Sequence, residues 1–97
     1  MARVVRCGLI QAACELSPEK HSLAKIKRHM ITKHDRLLAQ AARKGVQILC
    51  FQELFYGPYF CAEQDNRWHP LAEAVPDGPT IRWARKWAKK NRQVLVV

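Results

Sequence analysis

Three short apolar runs alternate with two segments of helical periodicity along this chain. Residues 4–14 (VVRCGLIQAAC) are apolar and partly β-branched, broken only by Arg6 and Gln11, which predicts one largely buried strand. Residues 15–21 (ELSPEKH) carry the Ser-Pro break of a connection, and Ser22 then stands where a helix N-cap belongs. From there Leu23, Ile26, Met30, Leu37, Leu38 and Ala41 recur on one helical face, with Gly45 in the position that follows a helix C-terminus. Residues 46–52 (VQILCFQ) form the second apolar run, whose Val, Ile and Phe favour a buried strand.

Residues 53–75 show neither period and are expected to be irregular, with Gly57-Pro58 marking a turn. Asp77-Gly78-Pro79-Thr80 prepares a second helix with Pro at its first position; Ile81, Ala84, Trp87 and Ala88 give it an apolar face and Asn91 ends it. Residues 92–97 (RQVLVV) begin a third strand and stop inside its apolar run. Strand, helix, strand, helix, strand with tight connections predicts right-handed parallel crossovers, hence an α/β chain. Three parallel strands with one layer of helices leave an apolar sheet face uncovered, which independent domains avoid. The expectation is therefore that residues 1–97 are the N-terminal portion of one larger domain; the alternative is a small domain that ends on a strand.

Composition narrows the class of protein. The 97 residues are 48% hydrophobic and 26% charged, with no repetitive or strongly polar segment, so the chain is expected to fold. Seventeen Lys and Arg against eight Asp and Glu leave a formal charge of +9. That charge lies mainly on the two helical segments, alternating with apolar positions as solvated helix faces do, and no nucleic-acid module accompanies it. Neither a nucleic-acid partner nor a membrane is expected, and a small basic binding module is kept as the rival reading. Cys7, Cys14, Cys50 and Cys61 have no paired spacing, and Cys7 and Cys50 lie inside the runs expected to be buried strands. Free thiols fit a reducing cytoplasm. Among His21, His29, His34 and His69 no two share the i, i+4 spacing of helical metal ligands, so neither a metal nor a cofactor is expected.

The residue that carries candidate chemistry is Glu53. It follows the second strand and precedes an aromatic loop, residues 54–61 (LFYGPYFC), and the carboxyl ends of parallel strands are where reactive groups gather. A carboxylate ringed by aromatic groups loses hydration, which favours its neutral form and suits a general base working near neutral pH. Taken alone, an exposed acidic residue after a strand explains the same pattern equally well. Cys61 is close in sequence but has no basic neighbour to activate it, so it is read as structural. Tyr59 and Phe60 are placed to line a substrate pocket, or equally to pack in a core. Trp68, Trp83 and Trp87 are read as packing residues.

Residues 45–61 (GVQILCFQELFYGPYFC) resemble the segment around the first catalytic residue of the nitrilase superfamily, especially the branch of beta-ureidopropionases and N-carbamoylputrescine amidases. Residues 5–13 (VRCGLIQAA) are similar to that family's first strand and residues 74–81 (AVPDGPTI) to its lead into the second helix. Many relatives have Pro where this chain has Gln52; the Gln-Glu pair and the following Phe-Cys point to the carbamoyl-amide branch. The resemblance implies the N-terminal βαβαβ part of a four-layer αββα sandwich and a Glu-Lys-Cys triad. In that triad a cysteine attacks, a glutamate moves protons, and a lysine helps stabilise the tetrahedral intermediate. Only the glutamate, Glu53, maps onto this chain, and the lysine and cysteine are expected beyond Val97. The implied substrate is an N-carbamoyl amide such as N-carbamoyl-beta-alanine, and the implied assembly of the complete enzyme is a homo-oligomer.

Overall fold

Residues 3–97 are described by a computed structural model. Five regular elements appear in the predicted order: β1 (Cys7–Leu9), α1 (Leu23–Arg43), β2 (Ile48–Cys50), α2 (Pro79–Asn91) and β3 (Val94–Val96). The strands form one parallel sheet in the order β1-β2-β3, with Cys7 opposite Ile48, Leu9 opposite Cys50, and Cys50 opposite Val96. Two crossovers of the same hand, stepping in the same direction, put both helices on one face of the sheet. Mixed helix and strand with a small parallel sheet is the α/β architecture that the apolar periodicity predicts.

Local chemistry sets the boundaries. Ser22 caps α1 by accepting from the Lys25 N–H at 3.2 Å. The helix stops where Gly45 takes φ of 69°, a left-handed conformation that costs glycine least. Gly78 precedes α2, with Pro79 in its first turn. A Cβ at Gly78 would sit 2.5 Å from the Ala74 carbonyl oxygen, so the residue types that usually cap helices do not fit there.

The core lies between the helices and one sheet face. Ile26, Met30, Leu38 and Ala41 of α1 are buried against Leu49 of β2 and against Ile10, Phe51 and Phe55. Ala84 of α2 is buried, and Trp83 packs edge-on to Phe51 and stacks with Phe55. The two helices are joined by Asp35, whose Oδ1 accepts from both Trp83 Nε1 at 2.7 Å and Trp87 Nε1 at 2.8 Å. Burying two indoles beside each other requires such an acceptor, because each carries one N–H donor.

Four expectations need correction. The first strand spans three residues rather than residues 4–14, because regular pairing lasts only as long as β2; Val4 and Val5 lie outside it and are exposed. Cys7 and Cys50 are not buried: they alternate with Gly8 and Leu49 and so point to the side of the sheet without helices, Cys7 exposed and Cys50 half-buried. Residues 53–75 are not wholly irregular, since Asn66–Leu71 forms a 3₁₀ helix capped by Asp65, which accepts from the Arg67 N–H at 2.8 Å. Its threefold repeat and internal Pro70 give it no α-helical period to read. His34, considered only as a metal ligand, is a fully buried core residue of α1.

Candidate active site

The carboxyl ends of β1 and β2 open into a cleft of about 550 Å³ whose wall includes Gln11, Ala12, Cys14, Gln52, Glu53 and Tyr59. Glu53 also borders a smaller cavity of about 160 Å³ together with Tyr56, Pro58, Phe60 and Leu71. Glu53 thus stands between two recesses, with Tyr59 lining the larger and Phe60 the smaller. All three side chains are exposed, Tyr59 at 71% and Phe60 at 39%. The aromatic ring expected to strip Glu53 of water is therefore not closed by residues 3–97. Phe55, one of the expected ring members, turns into the core instead, 3% exposed.

The loop that carries Glu53 is tied down on both sides. Tyr56 donates its hydroxyl proton to the Leu71 carbonyl at 2.7 Å, and Lys27 of α1 lies over the Tyr56 ring at 5.0 Å from its centroid. Lys27 also pairs with Glu73, whose other oxygen accepts from the Thr80 N–H at 2.9 Å, so one carboxylate joins α1 to the first turn of α2. Burial pushes the Lys27 ammonium below its ordinary pKa of 10.5. On the β1 side, Lys33 donates to the Ala13 carbonyl at 2.7 Å and pairs with Glu15, with His29 Nε2 3.0 Å from the other Glu15 oxygen. Hydrogen bonds from Lys33 and then His29 hold the Glu15 carboxyl down at about 2. Both cleft walls are therefore fastened to α1 by cations.

Gln52 is the residue whose role sequence reasoning missed. Its amide bonds to the backbone of Ala12, accepting from N–H at 2.6 Å and donating to C=O at 2.8 Å. A signal was present: a polar residue closing an apolar run, directly before the acid. Cys14 shares the cleft with Glu53, but its thiol lies 3.7 Å from the Leu16 carbonyl oxygen. Cys61 is exposed and lines neither recess beside Glu53. Among the described residues no three His, Cys, Asp or Glu side chains converge on a potential metal position, and no helix is long and apolar enough to cross a membrane.

A carboxylate on a cleft wall can accept and return a proton. It has no paired nucleophile among the residues placed beside it. Comparison with known proteins bears on what that carboxylate serves. The sequence model of the family described as carbon-nitrogen hydrolase matches residues 11–97. The chain is 35% identical to a beta-ureidopropionase of Arabidopsis thaliana over 94 residues, 97% of this chain and 22% of that protein. It is 38% identical to N-carbamoylputrescine amidases of Arabidopsis thaliana and Solanum lycopersicum over 63 residues, 65% of this chain and 21% of each relative. The chain thus spans about a fifth of the length of these relatives.

Proposed function

The chain belongs to the carbon-nitrogen hydrolase family, and from that premise we propose that the protein carrying it hydrolyses N-carbamoyl amides, with Glu53 as the group that moves protons. The observation that supports this reading is the position of Glu53. It lies three residues beyond the end of the middle strand, on the wall between two recesses, within the matched stretch. The relatives are named for a ureido acid and a carbamoylated diamine, and both substrates contain the group R–NH–CO–NH₂.

Glu53 takes the proton of a thiol supplied from outside this chain as that sulfur adds to the carbamoyl carbon. A cation, also from outside, offsets the negative charge on the carbonyl oxygen. Glu53 then passes the proton to the departing nitrogen as the C–N bond breaks. Water then displaces the remaining carbonyl group from sulfur, returning a proton to the thiol and releasing a carbamic acid. The other C–N bond of that acid breaks to give carbon dioxide, so that one ureido compound and one water give amine, ammonia and carbon dioxide. Tyr59 and Phe60 flank the substrate in the two recesses, and the rest of the protein closes the site and supplies the desolvation that residues 3–97 do not. Residues 1–97 alone carry out no turnover on this reading.

The test is Glu53→Gln in the complete protein, assayed on N-carbamoyl-beta-alanine and N-carbamoylputrescine. Glutamine keeps the volume and one acceptor but cannot move the proton, so kcat falls by about 10²–10⁴-fold or more while folding is kept. Near-normal kcat in the variant, or no turnover of either compound by the wild-type protein, overturns the reading. The rival, a basic binding module, requires instead salt-dependent retention on DNA or heparin.

A further inference from the structure

Past Leu9 and Cys50 the regular pairing of β1 with β2 ends, yet residues 10–12 and 51–52 remain side by side. One backbone bond continues the ladder, from the Ile10 N–H to the Cys50 carbonyl at 2.9 Å. The next rung is made by a side chain. Gln52 Oε1 accepts from the Ala12 N–H at 2.6 Å while Gln52 Nε2 donates to the Ala12 carbonyl at 2.8 Å. One primary amide thus satisfies both polar groups of one buried residue, as the backbone of a neighbouring strand would. Only this orientation of the amide faces donor to acceptor at both ends. The same Nε2 lies 3.4 Å from the Leu54 carbonyl. Glu53 therefore sits between a residue whose side chain is clamped to the exit of β1 and a residue whose carbonyl points at the same clamp.

We infer that Gln52 is a positioning residue for Glu53, its side-chain amide fixing the acid's backbone to the β1 wall of the cleft. This rests on the reading of Glu53 as the proton-transfer group. A clamp of this kind acts chiefly on the placement of the carboxylate, since the Gln52 amide is engaged by Ala12 and Leu54 backbone groups rather than left free for substrate. Misplacing a reacting group by an ångström costs about 100-fold in rate.

The experiment compares wild type, Gln52→Met, Gln52→Glu and Glu53→Gln in the complete protein, measuring kcat and KM across pH and the folded fraction on the same preparations. Gln52→Met keeps the length and removes both hydrogen bonds; its kcat is expected to fall about 10- to 100-fold with KM little changed. Gln52→Glu keeps an acceptor for the Ala12 N–H but sets a second oxygen against the Ala12 carbonyl. Protonation restores the donor, so its kcat relative to wild type rises as pH falls, a response that a purely structural role does not produce. Wild-type kcat per folded molecule in a Gln52→Met preparation that folds, with a wild-type pH profile, overturns the positioning role and leaves Glu53 standing if Glu53→Gln is inactive. Turnover by Glu53→Gln overturns both. Should Gln52→Met not fold, the Gln52→Glu ratio decides, and a ratio independent of pH overturns the inference.

Discussion

Leu49 and Leu95 point toward the helices, while Ile48, Val94 and Val96 point away from them on the same strands. Both sets are aliphatic, so hydrophobicity alone does not tell them apart. On the helix side Leu49 is buried among Met30, Leu38 and Phe51. On the other side Leu9 is 85% exposed, Val94 58% and Val96 50%. A soluble protein rarely leaves so continuous an apolar surface facing water, and parallel strands in particular are buried on both faces. The difference teaches that hydrophobic pattern specifies which residues must be covered, and the chain at hand covers half of them. It also bears on the site: Glu53 lies at the end of the middle strand of a half-covered sheet, which is why its surroundings remain open to water.

The largest expected effect compares the two faces directly in the complete protein. Leu38→Ala empties a fully buried position and costs about 2–5 kcal/mol by denaturant unfolding. Val94→Asp with Val96→Asp places two charges on the face without helices. If another layer covers that face, the cost is comparable or larger, since unpaired buried charge is poorly tolerated. Effects within about 0.5 kcal/mol, as at ordinary surface positions, would show that the face stays bare. Residues 1–97 on their own are expected to self-associate through it, and the same double substitution should reduce their sedimentation-detected association. A monodisperse unsubstituted segment would break the comparison.

A smaller effect is expected within the covered side, at the junction of the helices. Asp35→Ala leaves the Trp83 and Trp87 indole N–H groups without their shared acceptor and should cost about 2–3 kcal/mol, whereas Asp35→Asn, which keeps one oxygen, should cost about 1 kcal/mol. Thermal unfolding followed by tryptophan fluorescence measures both. Equal losses for the two variants would mean that charge, and not the acceptor, holds the helices together.

Much of this arrangement was legible in the residues. Ser22, Gly45 and Pro79 mark helix ends because capping and φ preferences are local, and the Ile26, Met30, Leu38 spacing marks the buried face because the helical repeat is local too. Strand lengths were not legible, since an apolar run does not reveal how many of its residues find a partner: residues 4–14 contribute only Cys7–Leu9 to the sheet. Nor was the side on which Cys7 and Cys50 would emerge, which depends on what covers each face. At the site, the place of Glu53 after the second strand could be read from the order of elements. Its exposure could not, because Phe55 is drawn into the core by His34 and Trp83, contacts that join residues far apart in sequence. Gln52 drew notice as a departure from a common proline, but its partner, Ala12, is 40 residues away.

The smallest expected effect concerns His34, a buried polar residue of the covered side. It is fully buried, its Nδ1 lies 2.8 Å from the Met30 carbonyl oxygen, and its ring meets Phe51 and Phe55 with centroids 5.5 and 5.0 Å away. A carbonyl can only accept, so Nδ1 carries the proton, and Nε2 is left buried without a partner. Burial pushes the His34 pKa below its ordinary 6.5; the Met30 carbonyl raises it, the Lys33 charge lowers it and the Asp35 charge raises it, with the net direction downward. The unfolded chain therefore takes up a proton below about pH 6.5 that the folded chain refuses, and stability falls as pH falls through that window. One such group contributes a slope of at most about 1.4 kcal/mol per pH unit. The exposed carboxyl of Glu15, held at about 2 against an ordinary 4.5, titrates lower and does not overlap this window. His34→Met fills the same space with a flexible apolar chain and removes the titration. Urea midpoints of the complete protein between pH 7 and 5 should decline more steeply for wild type than for the variant, and parallel curves would show that His34 is not charged on unfolding in this range.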